Sequence, residues 1–283
     1  MALADRLVGF NESPPDSSII HDTGKPITKL MASINATTGD LILAKQMGCD
    51  AFLLHHPLAG DSRRRFHRVL DRMIELMAAH GVPDDAARAA TQRLRNRLRF
   101  HDHASDWDHL ASAARHIGIT LLNIHLAADE IGRQEMERAI DALPDDATVE
   151  QAVAALRNIP ELAAPANEVI HVPEGPAGRA GRIAVMHAGG TNAGADGAEA
   201  LFDTTAADPR GPVRTVVYIH LSGDDAKRIE DRAHNNQPGT VIITGHLASD
   251  AIGMNILIEH IQRDLGPEVI RHGGLEPFPR QHA

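Results

Sequence analysis

The sequence predicts an α/β protein made of two similar lobes that form an internal pseudo-repeat. Apolar runs with strand character alternate with helical patterns along most of the chain, and one nine-residue element occurs twice. It reads IHLAADEIG at residues 124–132 and GHLASDAIG at residues 245–253. Each copy follows an apolar run and leads into a helical pattern. We therefore predict the same local structure in two related halves, packed face to face.

The first lobe is predicted over residues 1–160. Its opening elements are irregular chain at 1–26, a strand at 29–33, a helix at 40–47 and a buried strand at 51–54. Gly48 follows the last helical residue, which is a common signal for the end of a helix. The strand–helix–strand order favours a parallel pair joined by a right-handed crossover.

A helical hairpin, at about residues 62–100, is predicted as an insertion in this lobe. The helical spacing is broken once, at Gly81-Val82-Pro83, where glycine and proline favour a turn. After the hairpin we predict a helix at 106–116, a strand at 119–123 and helices at 135–143 and 148–159. The hairpin then lies between two strands that each end in histidine.

The second lobe is predicted over residues 161–283. Its predicted strands are at 181–186, 213–221 and 240–244, and its predicted helices are at 224–234 and 252–265. This lobe repeats the alternation of strand and helix seen in the first. The predicted duplication would be excluded if the two halves did not superpose.

Composition narrows the possible classes of function. The formal net charge of −10 over 283 residues argues against a broad nucleic-acid surface, because phosphate binding requires clustered lysine and arginine. The local exception is a set of arginines: Arg63, Arg64, Arg65, Arg93, Arg95, Arg97 and Arg99. A solvated helix face is the favoured interpretation of this set, and a phosphate or RNA patch is the alternative.

Localisation is predicted from what the sequence lacks. The N-terminus shows no basic region followed by an apolar stretch, and no apolar run approaches the roughly 20 residues of a membrane span. The one cysteine, Cys49, excludes an internal disulfide. We therefore expect a cytoplasmic protein that does not bind membranes.

Histidines and carboxylates follow three of the predicted strands. His125 and Asp129 are four residues apart in one copy of the repeat, and His246 and Asp250 are four apart in the other. Residues four apart on a helix point the same way, so each pair can contact one ion. His55 and His56 follow the strand at 51–54, just before Pro57.

These six residues predict a metal centre with two ions. Imidazole and carboxylate together suit Zn²⁺, Fe²⁺, Mn²⁺ and Co²⁺. Six ligands are too many for one tetrahedral ion but suit two ions bridged by a carboxylate or water. The ligands we predict are His55, His56, His125, Asp129, His246 and Asp250.

Structural explanations exist for each motif taken alone. A single His-x-x-x-Asp pair is commonly a surface ion pair or a helix cap, and His-His-Pro after a strand is often structural. However, the His-x-x-x-Asp pair occurs twice in nearly the same sequence, and His55-His56 follows a strand in the same way. This repetition favours a metal site over the structural explanations. His101 and His103, in a predicted loop, and His21-Asp22, in a predicted turn, are weaker candidates. The last set, His187, His220 and His272, is predicted to be core or surface.

The order of these motifs resembles the Nif-three-like family, whose members are often described as homologues of GTP cyclohydrolase I type 2. The resemblance rests on His55-His56-Pro57-Leu58, on His125 with Asp129, and on Gly245-His246 with Ser249-Asp250. It implies two similar α/β lobes, a dinuclear metal site in the cleft between them, and a homohexameric ring. It also implies the six ligands named above, with Asp250 in place of the usual glutamate.

Two functions follow as hypotheses. The first is a metal-dependent hydrolase that uses a bridging hydroxide on a small molecule such as a cyclic amide, a nucleotide or a phosphoester, with Ser249 or Asp22 orienting water or substrate. The alternative is a non-catalytic factor for metal handling or cofactor assembly, which would have a metal client as its partner. A weaker third interpretation is an adaptor whose metal only stabilises the fold.

Overall fold

A computed structural model describes residues 1–173, 178–189 and 192–278. The prediction of a mixed α/β fold is confirmed: these residues form eleven α-helices, two short 3₁₀-helices and nine strands. The strands are β1 Ser18–His21, β2 Lys29–Ser33, β3 Ala51–Leu54, β4 Thr120–Asn123, β5 Ile170–Val172, β6 Arg182–Val185, β7 Val213–Tyr218, β8 Thr240–Ile243 and β9 Glu268–Arg271.

The helices lie between and around these strands. They are α1 Ala2–Val8, α2 Thr38–Gln46, α3 Gly60–Arg64, α4 Leu70–Ala79, α5 Asp84–Ala104, α6 His109–Ile117, α7 Leu126–Asp141, α8 Val149–Leu156, α9 Gly194–Thr204, α10 Gly223–His234 and α11 His246–Leu265. The 3₁₀-helices are Phe66–Val69 and Thr205–Ala207. No helix among the described residues is both long and apolar enough to cross a membrane.

The described residues fall into two compact units by the clustering of their contacts. The first unit holds residues 1–69 and 96–132 together with the chain from Asp250 onward, and the second holds residues 70–95 and 133–249. Each unit therefore draws on several chain segments. The predicted division near residue 160 concerns the sequence repeat, and it stays a prediction.

The first unit contains a five-stranded sheet in the order β1-β4-β3-β2-β9. Strands β4, β3, β2 and β9 are parallel, and β1 is an antiparallel edge strand. The last residues of three neighbouring strands pair in register, because Leu54 lies opposite both Ser33 and Asn123. The carboxyl ends of these strands therefore meet at one edge of the sheet, where open α/β sheets usually place their sites.

Both faces of this sheet are covered, as parallel sheets require. Alternate residues of β3 point to opposite faces: Leu53 joins a core with α7 and α11, and Phe52 joins a core with α2 and α6. All four residues of β3 are buried, which agrees with its unbroken apolar sequence. This packing holds the carboxyl end of β3 rigidly in the middle of the sheet.

The second unit contains a four-stranded sheet in the order β5-β8-β7-β6. Strands β8, β7 and β6 are parallel, and β5 is an antiparallel edge strand. Helix α9 packs on β7 and buries Leu201 and Phe202. Each of the two sheets thus has one antiparallel edge strand beside the strand that precedes a repeated element. This shared order is what a duplication predicts, and the duplication itself stays a prediction.

Most predicted elements occur near their predicted positions, but three strands and two helices, α1 and α9, were missed. The helical pattern at 62–100 is broken at 81–83 as predicted, although it begins with α3 and a 3₁₀-helix. Residues 1–26 were predicted to be irregular, which is wrong: they contain α1 and β1. Strands β5 and β9 were also missed. All three missed strands lie at sheet edges and are partly exposed, so they lack the continuous buried apolar run by which a strand as short as β3 was recognised.

Candidate metal centre

The two histidines after β3 are held in place by backbone pairing that continues past the strand. The amide of His55 donates to the carbonyl of Ser33 at 2.9 Å, and the amide of His56 donates to that of Ile34 at 3.1 Å. The following residue, Pro57, has no amide hydrogen with which to extend the pairing. Both imidazoles are therefore fixed at the carboxyl edge of the first sheet, and their ring centroids are 5.0 Å apart.

His125 and Asp129 lie at the start of α7, directly after β4. The amide of Asp129 donates to the carbonyl of His125 at 3.0 Å, so one helical turn joins them. Both residues are buried. The ring of His125 lies 4.6 Å from that of His55. The repeated element thus does what its spacing predicted, because it places an imidazole and a carboxylate on one side of a first helical turn.

A close crossing of two helices brings Asp129 and Asp250 together. A Cβ atom added to Gly253 on α11 would lie 1.8 Å from the backbone carbonyl oxygen of Ala128 and 3.1 Å from the amide nitrogen of Gly132, both on α7. Only a glycine allows this approach. The last residue of each repeated element is therefore a glycine at the crossing, and the aspartates on the two helices both reach His55.

The imidazoles of His55, His56 and His125 each use Nδ1 to bind an oxygen atom behind them. Nδ1 of His55 donates to the carbonyl of Ile124 at 3.2 Å, and Nδ1 of His56 donates to Oδ1 of Asn35 at 2.8 Å. Nδ1 of His125 donates to a carboxylate oxygen of Asp16 at 2.7 Å. Since a neutral imidazole carries one proton, these bonds leave the Nε2 lone pairs available for a cation.

The Nε2 atoms of His55 and His56 face carboxylates. Nε2 of His55 lies 3.1 Å from Oδ1 of Asp129 and 3.6 Å from Oδ2 of Asp250, and Nε2 of His56 lies 3.1 Å from the same Asp250 oxygen. A lone pair and a carboxylate oxygen at this distance repel each other unless a proton or a metal ion lies near both. The donor set is therefore complementary to a cation, and it combines the nitrogen and oxygen atoms that transition metals bind.

The pKa of His55 also shows that the buried carboxylates favour a positive charge at the centre. Burial alone would lower the pKa of His55, but the carboxylates of Asp250 and Asp129 outweigh it and raise that pKa to about 10. Burial lowers the pKa of His56 to about 4, although a hydrogen bond to Asp250 acts in the opposite direction. With both aspartates ionised, one protonated imidazole leaves a negative charge uncompensated in a buried site, which is costly.

Asp16 is a contributor that sequence reasoning missed. It is fully buried, and the Oδ2 atom that binds His125 also accepts from the amide of Leu126 at 3.2 Å. Beside it, Oγ of Ser17 accepts from the amide of His125 at 2.9 Å. Asp16 lies 109 residues before His125 in a turn-rich stretch. Its sequence carries no spacing signal, and only the missed edge strand β1 brings it near β4.

The surroundings of the centre differ from side to side. The ring of Phe66 lies 5.5 Å from that of His125 and covers it with apolar surface. His55, His125, Asp129 and Asp250 are all fully or almost fully buried. The side chain of His56 is 18% exposed, so it marks the side on which solvent reaches these five residues.

The sixth predicted ligand, His246, is the first residue of α11 and belongs to the second unit. Within that unit its ring lies 5.0 Å from that of His220. The turn before it requires Gly245, which has a φ of +92° and no room for a Cβ beside the side-chain oxygen of Asn167. Asp250 follows His246 by one turn of the same helix, so the two side chains point the same way.

The weaker candidates have other roles in the structure. His101 and His103 lie in helix α5, so the predicted loop at that position is wrong. Oδ1 of Asp22 accepts from the amide of Gly24 at 2.8 Å in an exposed turn, and Nε2 of His272 lies 2.9 Å from Oδ1 of Asp40. Oγ of Ser249 donates to the carbonyl of Gly245 at 2.6 Å, within the turn that begins α11.

Comparison with known structures identifies the family. A NIF3 superfamily protein from Sphaerobacter thermophilus is 36% identical to this chain, with a TM-score of 0.86 over 97% of this chain and 96% of that one. The chain therefore belongs to the NIF3 superfamily. A scan against protein-family models gives no match, and neither does a search of curated proteins.

More distant structures share the fold. Reduced HcgD from Methanocaldococcus jannaschii has a TM-score of 0.56 at 12% identity, covering 95% of this chain and 93% of that chain. Protein SA1388 of Staphylococcus aureus has a TM-score of 0.53 at 13% identity, covering 99% and 97% of the two chains. At these identities the likeness concerns the fold alone.

Proposed function

We propose that this protein binds two divalent metal ions and hydrolyses a small molecule with their help. The observation that supports the proposal most strongly is the convergence of three imidazoles, each with Nδ1 already bound, on two buried carboxylates. The ligands proposed from the first unit are His55, His56, His125, Asp129 and Asp250. We also propose His246, the sixth ligand predicted from the sequence, as a ligand of these ions.

The number of donors favours two ions over one. The donor atoms of the first unit form two overlapping groups, one of His55, His56 and His125 and the other of His55, Asp129 and Asp250. Within each group the atoms lie within 4.8 Å of one another. Five ligand residues exceed what a single tetrahedral ion takes, whereas two adjacent ions share ligands and bridging carboxylates.

The residues of the chain have separable tasks in this proposal. Asp16, Asn35 and the carbonyl of Ile124 hold the imidazoles in the tautomer that presents Nε2, as carboxylates and carbonyls do behind metal-binding histidines. Phe66 excludes water from the side of His125. The partly exposed His56 marks where a substrate enters. Two divalent ions, when bound, polarise a substrate oxygen and make water more acidic.

Metal handling is the second candidate function. Within the first unit, the histidines and aspartates described at the centre all have a task in this proposal. Five are proposed ligands, and Asp16 holds the ligand His125 in place. None of these residues is left for proton transfer, which a hydrolase commonly requires. A protein that stores or delivers metal ions needs only the ligands. The two functions predict different rates of metal exchange and different activity.

Metal content per chain is the first measurement. The protein is purified without chelator or added metal and compared with an Asp129→Ala, His246→Ala double variant. The control is His116→Ala, which removes an exposed histidine from α6 in the first unit. We expect about two ions per chain in the wild type and in the control, and none in the double variant. An absence of metal in the wild type after soaking with Zn²⁺, Mn²⁺ and Fe²⁺ would remove the proposal.

Turnover then separates the two candidate functions. The metal-loaded protein is assayed on phosphoesters, cyclic amides and GTP, with the double variant as the blank. Hydrolysis that follows metal content supports the hydrolase. Loaded protein that hydrolyses none of these, but gives up its metal to a competing apo-protein within minutes, supports metal delivery instead.

A further inference from the structure

A pocket in the first unit is lined by arginines that lie far apart in the sequence. Its volume is about 460 Å³, and it lies beside α3, the following 3₁₀-helix and the last turns of α5. Arg64 and Arg65 line it from one side, and Arg99 lines it from α5. None of the five metal-centre residues of this unit contributes to its lining. The pocket is therefore a separate feature from the metal centre.

Positive charge exceeds negative charge in this pocket. Arg64 and Arg65 both pair with the same carboxylate, that of Asp61, at 3.4 Å and 3.0 Å. Within the part of the chain that the structure describes, Arg99 has no carboxylate of its own. One shared carboxylate therefore leaves cationic charge uncompensated, and guanidinium groups bind phosphate oxygens in a bidentate manner.

A buried carboxylate fixes the histidine of the pocket. Asp102 is almost fully buried, and its Oδ2 accepts from the amide of His67 at 2.7 Å and from Nδ1 of the same residue at 3.0 Å. The other Asp102 oxygen lies 4.0 Å from Nη1 of Arg63, so its charge is partly balanced. These bonds use Nδ1 of His67 and turn Nε2 away from Asp102. The polar wall of the pocket is thus held by a buried anchor.

An aromatic wall completes the pocket. Trp107 lines it and is 41% exposed, and the guanidinium of Arg64 lies 5.2 Å from the centre of its ring. The carbonyl of Trp107 accepts from the amide of Gly60 at 3.0 Å, which holds the indole beside α3. An exposed indole next to cations is suited to a ligand with an apolar or flat part and a negative group.

We infer that this pocket binds the phosphate group of a small phosphate monoester whose apolar or flat part lies against Trp107. Arg65 and Arg99 bind the phosphate oxygens, and Arg64 fixes the indole. Arg65 and His67 flank Phe66, whose ring contacts His125, so the pocket adjoins the wall of the metal centre. The inference does not rest on hydrolysis, because the pocket binds its ligand whether or not the metal centre is catalytic.

The tryptophan of the pocket gives a direct measurement, because the chain has only one. The emission of Trp107 is followed while phenyl phosphate, inorganic phosphate or phenol is added to the purified protein, with and without chelator. We expect a saturable change with phenyl phosphate, a weaker affinity for inorganic phosphate and no saturable change with phenol. The dissociation constant for phenyl phosphate should be the same with chelator present.

Matched arginine variants locate the binding. Arg99→Gln should raise the dissociation constant for phenyl phosphate at least about tenfold, because a charge-assisted hydrogen bond is lost. The control is Arg97→Gln, an exposed arginine of the same helix that does not line the pocket. It should change the constant by less than about twofold, as a remote surface charge does in moderate salt.

Several results would overturn the inference. One is a wild-type protein whose Trp107 emission does not respond to phenyl phosphate. Equal weakening by Arg97→Gln and Arg99→Gln would show a diffuse charged surface. Loss of phenyl phosphate binding in the presence of chelator would show that the phosphate binds a metal ion instead. Competition by oligothymidylate at lower concentrations than phenyl phosphate would show a nucleic-acid surface. Metal content is measured on the same samples, so failure of the pocket stays distinguishable from failure of the proposed function.

Discussion

The carboxyl ends of the parallel strands carry histidines in both units, but the surroundings of these histidines differ. In the first unit, β3 leads to His55 and His56, and β4 leads to His125. The Nδ1 atom of each of these imidazoles binds an oxygen atom. The Nε2 atoms of His55 and His56 face aspartates. In the second unit, β7 leads to His220. The helix after it, α10, also begins with aspartates, of which Asp225 binds a backbone amide and a serine hydroxyl.

One carboxylate after β7, that of Asp225, has a different role from the aspartates of the first unit. Oδ1 of Asp225 accepts from the amide of Ala195 at 3.1 Å, and its other oxygen accepts from Oγ of Ser222 at 2.6 Å. Asp225 therefore helps to cap helices within the second unit. A histidine at the end of a strand is thus not sufficient for a metal site. In the first unit, carboxylate oxygens lie beside Nε2 of His55 and of His56, and an oxygen acceptor binds Nδ1 of each imidazole from behind.

The largest expected effect tests the helix crossing that brings the aspartates of the first unit together. Gly253→Ala places a methyl group 1.8 Å from the carbonyl oxygen of Ala128, so α7 and α11 must move apart. We expect a loss of about 3 kcal/mol or more in the free energy of unfolding, by analogy with overpacked cores, and a loss of bound metal. Urea unfolding and metal analysis measure the two effects.

The matched control is Gly39→Ala in α2, where the new Cβ would meet only Oγ1 of Thr37 at 3.4 Å. Alanine favours a helix over glycine by about 0.5–1 kcal/mol, so this variant should be unchanged or slightly stabilised. Equal destabilisation by both variants would mean that the close helix crossing is not the reason for a glycine at position 253.

The second prediction concerns the direction of the carboxylates. Asp129→Asn keeps the shape of the side chain but removes its charge, so bound metal per chain should fall by at least about tenfold. Asp225→Asn at the start of α10 should leave metal content unchanged and lower stability by about 1 kcal/mol through the weakened cap. Metal retained by the Asp129 variant would contradict its assignment as a ligand.

The third prediction concerns the acceptor behind the imidazole. Asp16→Asn should weaken metal binding about 10–100-fold, because it no longer presents a charged acceptor to Nδ1 of His125. Asp40→Asn is the matched control, since Asp40 also lies beside a histidine, His272, at 2.9 Å, but outside the centre. Competition with a metal-binding dye measures both affinities. Equal affinities for the two variants would leave Asp16 with a purely structural role.

The fourth prediction concerns the pH dependence of stability. The pKa of His55 is raised to about 10 in the folded metal-free protein, so its stabilising contribution is present below pH 6.5 and is lost as the pH rises toward 10. The pKa of His56 is lowered to about 4, so burial of this residue destabilises the fold as the pH falls from 6.5 toward 4. These two residues therefore favour a stability maximum near pH 6.5.

Metal should remove the alkaline part of this dependence, because bound ions take the place of the proton on His55. Urea unfolding of chelator-treated and metal-loaded protein between pH 6.5 and pH 9.5 measures the difference. A metal-free protein that is equally stable across this range would show that His55 is not held between ionised carboxylates.

Much of the fold was predictable because it depends on local pattern. The buried run Ala51–Leu54 and the alternating strands and helices are set by short-range periodicity, which a single sequence displays. The pairs His125–Asp129 and His246–Asp250 could be recognised because one helical turn fixes their geometry. The edge strands β1, β5 and β9 were missed because a short, partly exposed segment beside one partner carries little pattern of its own.

Local pattern in the sequence was enough to predict most of the elements, the family resemblance and the six candidate ligands. Three contacts could be recognised only in the folded chain: Asp16 binds His125, Gly253 lets α11 approach α7, and Arg65 and Arg99 line one pocket. The physical reason is that these contacts join residues far apart in the chain. Helical and strand periods describe neighbours along the backbone, whereas packing chooses which distant side chains meet.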